Sequence, residues 1–211
     1  MGLLTFKGGI HPDDGKALSK DKPIVPVRAG DMLYFSLSQH IGAPARPLVE
    51  KGDRVLRGQM IAEAGGFVSA PVYSSVSGTV TGMERMRMPA GNLADCIAVE
   101  NDHQLDGMDY EPAEWQKLSG EVILERIKMG GLVGMGGAGF PTHVKMSPKE
   151  PDKIDYILVN GAECEPYLTS HYRRMMEEPE KIAEGLRIIM KTFPGANGQC
   201  CVEGNQRDSA N

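Results

Sequence analysis

Six of the ten residues from Gly130 to Gly139 are glycine: Gly130, Gly131, Gly134, Gly136, Gly137 and Gly139. That density rules out a helix or strand interior, because each glycine gives up backbone entropy with no side-chain packing in return. The stretch must be a loop of bare backbone, able to approach a ligand closely and aim N–H groups at an anion, as phosphate-cradling loops do. A flexible linker is the plain alternative. Against it, Leu132, Val133, Ala138 and Phe140 stand where a linker carries serine and threonine. There is no GxxxxGK[ST], and the Gly134-x-Gly136-x-x-Gly139 spacing is not borne on a predicted strand, so an ordinary ATPase or dehydrogenase fingerprint is excluded. Lys145 follows closely, placed either to meet the same phosphate or simply to face solvent.

The glycine run sits inside a change of texture. From Gly30 to Glu100, short alternating segments are broken by glycine turns such as Lys51-Gly52-Asp53, Arg57-Gly58-Gln59 and Ser77-Gly78-Thr79. This cadence predicts a small barrel or sandwich with no helix of useful length. Residues 101–120 are polar and read as a linker with one helical turn. Beyond them Ser119 offers an N-cap, Val122, Ile123 and Ile127 a helical stripe, and Gly130-Gly131 a stop. Tyr156–Val159 predicts a fully buried parallel strand. Pro179 opens a helix whose Ile182, Leu186, Ile189, Met190 and Phe193 form one buried face. A further strand starts at Gln199. So short a parallel sheet cannot cover its own edges, and the chain is expected to be part of a longer protein.

Composition narrows the function. The 211 residues carry 23 Lys+Arg against 28 Asp+Glu, a net charge of -5, so no nucleic-acid surface is expected. No apolar run reaches the ~18 residues of a membrane span, and the N-terminus lacks the n-, h- and cleavage regions of a signal peptide. Cys96, Cys164, Cys200 and Cys201 form no CxxC, so neither disulfides nor a cluster site is expected within the chain, and Cys200-Cys201 reads as core. The five histidines (11, 40, 103, 143, 171) show no HxxxH or HExxH, and no metal site is predicted.

Directly after the predicted buried strand comes Asn160-Gly-Ala-Glu163-Cys-Glu165-Pro166. Ligands of open α/β sheets bind at the carboxyl ends of strands. An amide there can pair with a heterocycle edge, and carboxylates can accept from ribityl or ribose hydroxyls. An acidic turn closed by an Asx cap explains the same residues. Residues 51–80 have the cadence of a lipoyl- or biotinyl-carrier domain, yet the hairpin tip Gly65–Ala70 holds no lysine to modify. The fold is retained and the swinging-arm chemistry rejected.

Four stretches, FKGGIHP (6–12), LSQHIGAPARPLVEKGD (37–53), GGLVGMGGAGFPTHVK (130–145) and DYILVNGAECEPYLTSHYR (155–173), together resemble the C subunit of the Rnf electron-transport complex over essentially the whole chain. The glycine and acidic loops also resemble those of the flavin-binding subunit of respiratory complex I, with Met135 in place of an arginine and Ala162 in place of an aspartate. The resemblance implies α/β plus all-β architecture: a lipoyl-like barrel-sandwich hybrid, then an incomplete Rossmann-like α/β domain for flavin and NADH. The implied divisions are an arm over 1–28, the sandwich over 29–105 and the amino-terminal part of the FMN/NADH domain over 106–211. It further implies an NADH-oxidising subunit of a membrane-bound, ion-translocating complex of the NADH:ferredoxin type. Such a subunit lies peripherally on the cytoplasmic side of the inner membrane and is held there by partner subunits.

Carried over residue by residue, the resemblance places Gly134, Gly136, Gly137, Gly139, Lys145, Asn160 and Glu163 at FMN, and Phe140 and Glu165 at NADH. Two [4Fe–4S] clusters are implied only beyond residue 211, and the piece alone is expected to be inactive. A docking module with no cofactor and a cobalamin-reductase relative are the competing readings.

Overall fold

Alternation along residues 78–101 gives the longest strand pairing among the described residues. Strands β6 (Gly78–Arg87) and β7 (Leu93–Asn101) run antiparallel, with Val80 opposite Val99 and a register shift between Val80 and Gly82. The computed structural model describes residues 13–135, 138–163 and 165–202. β7 also pairs with β1 (Met32–Ser36), and β6 with β3 (Arg54–Val55), giving a four-stranded sheet in the order β1-β7-β6-β3. A second sheet joins β2 (Arg46–Pro47), β4 (Met60–Glu63) and β5 (Val72–Tyr73). Both sheets direct their apolar residues to one core: Phe35, Val55, Val80, Ile97 and Val99 from the first, Ile61, Ala62 and Val72 from the second. This is the barrel-sandwich hybrid, and no helix interrupts it, as the alternation predicts. Burial on this shared core supplies most of its stabilisation.

The chain forms two compact units, one of residues 27–149 and one of residues 1–26 with 150–211. Residues 106–149 belong to the unit of the sandwich, and hydrogen bonds hold them to it. Arg57 N donates to Asp106 O (2.9 Å) and Met108 N to Arg57 O (2.9 Å), the Tyr110 hydroxyl donates to Gly58 O, and the Tyr73 hydroxyl to Met129 O. The linker turn is a short 3-10 segment, Trp115–Lys117.

Helix α1 (Gly120–Met129) starts at the cap its sequence predicts, the Ser119 Oγ accepting from Val122 N at 3.3 Å. Ile123 is buried and Ile127 half-buried, whereas Val122 is exposed and leaves the expected stripe. Ser119→Ala should lower the stability of α1 by about 1 kcal/mol, read as faster amide exchange at Glu121 and Val122. Unchanged exchange there would show that the serine does not hold the helix start.

In the other unit, β8 (Tyr156–Asn160) and β9 (Asn197–Cys201) pair in parallel. Helices α3 (Ser170–Glu177) and α4 (Pro179–Met190) lie between them in the chain. The parallel pairing is as predicted, but full burial is not. Tyr156 and Leu158 are 57% and 60% exposed, because only one face of the two-stranded sheet is covered among the described residues. Cys200 and Cys201 are likewise exposed rather than core. On the covered side Leu186 and Met190 of α4 press against Gly198. The predicted apolar face of α4 is half-buried, and only Phe193, beyond its end, is fully so.

Residues 13–26 form an arm on this unit. It is not simply extended, for Lys16–Leu18 makes a 3-10 turn with Lys16 buried. Tyr167 N donates to Asp14 O (2.6 Å), Lys20 lies 4.9 Å from the Tyr172 ring centre, and Ile24 N donates to Glu177 (3.0 Å).

Candidate functional site

The glycine loop leaves α1 through Gly130-Gly131 and is closed at its base. Val133 and Pro141 form an antiparallel bridge, Gly134 N donates to Phe140 O (3.0 Å), and Thr142 N donates to Leu132 O (2.9 Å). Its described base is therefore held by backbone bonds on both sides. Its backbone presses on the sandwich at two glycines. Gly131 has φ +65° and would bring a Cβ within 2.6 Å of Pro71 O; Gly139 has φ +58° and would bring one within 2.7 Å of Gln39 O. Both demand a left-handed backbone and a missing side chain together. Gly136 and Gly137 lie outside the described residues.

Between this loop and the segment 38–41 runs an open groove of about 630 Å³, lined by Ser38–Ile41, Pro89 of the β6–β7 turn, and Gly134, Met135, Ala138 and Gly139. That volume is within the range of small-molecule sites. Ile41 N donates to Ala138 O at 3.0 Å and so ties the two walls. Phe140 is exposed just past the loop.

Helix α2 (Thr142–Lys145) follows, with Lys145 exposed and making no ion pair among the described residues. His143 anchors α2. Its buried ring reaches Phe67 O at 3.4 Å, and its Nδ1 has no partner among the described residues. Burial, with Lys128 nearby, holds its pKa below the usual imidazole value despite the Phe67 carbonyl.

The acidic loop belongs to the other unit. Asn160 is exposed, and its Oδ1 accepts from Ala162 N at 3.1 Å, closing the Asx turn that its sequence allows. Glu165 is exposed, and Cys164 lies outside the described residues. Glu163 is only 4% exposed. Its Oε1 accepts from the Ser170 hydroxyl (3.0 Å) and His171 N (2.9 Å), and its Oε2 from Tyr172 N (3.3 Å), which together cap α3. The Lys16 ammonium donates to its backbone carbonyl at 2.5 Å.

Thus Gly134, Gly139, Phe140 and Lys145 fall in the unit of residues 27–149, and Asn160, Glu163 and Glu165 in the other. The wall at 38–41 has almost no local signature. Its one sign is the mixed loop Leu37-Ser-Gln-His-Ile-Gly42, set between two alternating runs. Among the described residues no group of three or more His, Cys, Asp and Glu is arranged to hold a metal, and no helix is long and apolar enough to cross a membrane.

Comparison with known proteins finds relatives for both parts of the chain. Residues 4–104 match the RnfC barrel sandwich hybrid domain, and residues 127–211 the Nuo51 FMN-binding domain. Among curated relatives, the C subunit of the proton-translocating ferredoxin:NAD(+) oxidoreductase complex of Clostridium ljungdahlii is 44% identical over 97% of this chain. Its counterpart in the Na(+)-translocating complex of Acetobacterium woodii is 39% identical over 97%, and the C subunit of the ion-translocating oxidoreductase complex of Haemophilus influenzae (strain PittEE) is 35% identical over 98%. The chain spans 45%, 47% and 32% of the lengths of these three relatives. A barrel-sandwich hybrid followed by a closed glycine loop and an acidic loop, matched along its length by these relatives, places the chain in the RnfC family.

Proposed function

We propose that the protein is the FMN-binding, NADH-oxidising electron-input subunit of a membrane-bound, ion-translocating complex of the NADH:ferredoxin type. The observation that carries this reading is the closed glycine loop braced on the sandwich beside a groove of about 630 Å³. The residues present fit a phosphate-bearing ligand: Gly134 and Gly139 line the groove with bare backbone, and Lys145 is a cation without a carboxylate partner among the described residues. Gly134, Gly136, Gly137 and Gly139 are assigned to the FMN phosphate loop, Gly134 closing its base through Phe140 O, with Lys145 adding charge.

Asn160 is assigned to the isoalloxazine ring and Glu163 to a ribityl hydroxyl. Phe140 offers an exposed ring to stack the nicotinamide, and Glu165 a carboxylate for the ribose hydroxyls. FMN supplies, when bound, the ability to take two electrons as hydride and release them singly. The chain's part is to hold its ligands in line and to keep the loop rigid.

The proposal extends to two [4Fe–4S] clusters carried beyond residue 211, and to attachment on the cytoplasmic side of the inner membrane through partner subunits. Residues 1–211 alone would then be inactive. The complete protein, purified and reconstituted, should carry one FMN per chain, with a flavin absorption band bleached by NADH. A protein that takes up no flavin would overturn the reading.

A further inference from the structure

Of the groups lining the groove, Gln39 and His40 have no assigned part in holding FMN or NADH, yet their environment is built in detail. His40 is 9% exposed. Its Nε2 lies 3.1 Å from Ala70 N and 3.2 Å from Ala70 O, and its Nδ1 3.1 Å from Ile41 O; with the Ala70 amide as donor, Nε2 accepts and the Nδ1–H donates to Ile41 O. Nε2 thus ties the segment 38–41 to the hairpin tip at Ala70, while Nδ1 fixes the ring within the segment, on Ile41 O. The outer side of that segment is what the glycine loop leans on. Ile41 N donates to Ala138 O, and Gln39 O fills the space a Gly139 side chain would need.

A loop serving only to join β1 to β2 needs no such lock, since its own strands already fix its ends. Gln39, beside the locked histidine, is exposed, lines the groove, and has no hydrogen-bond partner among the described residues. A carboxamide offers one acceptor and two donors in a plane. That set is complementary to the imide edge of a flavin ring, where an N–H lies between two carbonyls.

We propose that the sandwich supplies part of the flavin site itself: Gln39 binds the ring's imide edge, and His40 is the positioning residue that holds Gln39 and the glycine loop in register. This rests on the glycine loop binding FMN. The sandwich then belongs to the cofactor site as well as to any interface with other proteins of the complex.

The test uses the complete protein stripped of flavin and titrated with FMN. Gln39→Ala should weaken FMN binding about tenfold, the loss of one good hydrogen bond, and displace the bound flavin's absorption maximum, with the apoprotein's melting temperature unchanged. His40→Ala should weaken binding at least as much. His40→Gln should recover part of the loss, because its Oε1 can still accept from Ala70 N. Gly139→Ala serves as the reference. If Gly139→Ala weakens FMN binding while Gln39→Ala leaves both affinity and spectrum unchanged, the sandwich's role is refuted and the flavin reading survives. An effect of Gln39→Ala confined to the KM for NADH refutes it equally. If Gly139→Ala also leaves FMN binding intact, the flavin reading falls and this inference with it.

Discussion

Gly139→Ala should reduce FMN affinity of the complete protein by roughly thirtyfold or more while leaving the sandwich folded. Two costs add at this position. A residue with a Cβ held at φ +58° loses about 1–2 kcal/mol relative to glycine. The new methyl also falls 2.7 Å from Gln39 O and 3.2 Å from His40 Cα, both backbone atoms of a segment pinned by the His40 ring. Neither neighbour is the end of a flexible side chain, so the loop must move. Moving it puts at risk the Ile41 N to Ala138 O bond, worth about 1 kcal/mol net.

Together these disfavour the native loop by about 2–3 kcal/mol, and a ligand that needs the native loop loses affinity by that amount, roughly 30- to 150-fold. Quenching of FMN fluorescence on titration measures the affinity, and an unchanged far-UV spectrum shows that the fold is kept. Wild-type affinity in the variant would mean that the loop does not hold the cofactor.

What is legible in the sequence divides along physical lines. Period-two alternation from Gly30 to Glu100 announces the sandwich because antiparallel strands with one wet face must alternate. Local chemistry announces the starts of α1 and α4, since Ser119 and Pro179 act on their own neighbours. What escapes is non-local. Tyr156 and Leu158 look like a buried strand, but burial depends on how many layers cover the sheet, which no short run encodes.

Helix α3 leaves little trace in the sequence because its apolar anchors are only Tyr172 and Met175. Arg173–Glu177 and Arg174–Glu178 pairs support it along its length. The lock of His40 on Ala70 joins residues thirty apart and has no local signature. For the site the same rule holds. The glycine and acidic loops are visible as composition, and the wall that positions one of them is not.

Glu163→Ala should destabilise α3 by about 2–4 kcal/mol, the larger value applying if Ser170 and the two amides stay dry. The helix has no cap from its own N-cap residue, for the Thr169 hydroxyl is directed to Ser19 Oγ at 3.0 Å. Glu163, six residues earlier, takes that role with three bonds and a charge suited to the positive end of the helix dipole. Burial pushes its pKa up, but the His171 and Tyr172 amides and the Ser170 hydroxyl outweigh it, and the carboxyl is held below its usual 4.5.

A pKa lower in the folded than in the unfolded state means that the unfolded chain binds the proton more readily. The stabilisation is then complete above the unfolded value and fades as pH falls through the folded one. Glu163→Gln keeps an acceptor but not the charge, so it should cost less than alanine near pH 7. The gap between wild type and Glu163→Gln should close as pH falls from the ordinary 4.5 through the lower folded-state value. Amide exchange of residues 171–174 at neutral pH and under acid conditions would measure both effects. A gap that stays constant across that range would show that the carboxylate's charge does not stabilise α3.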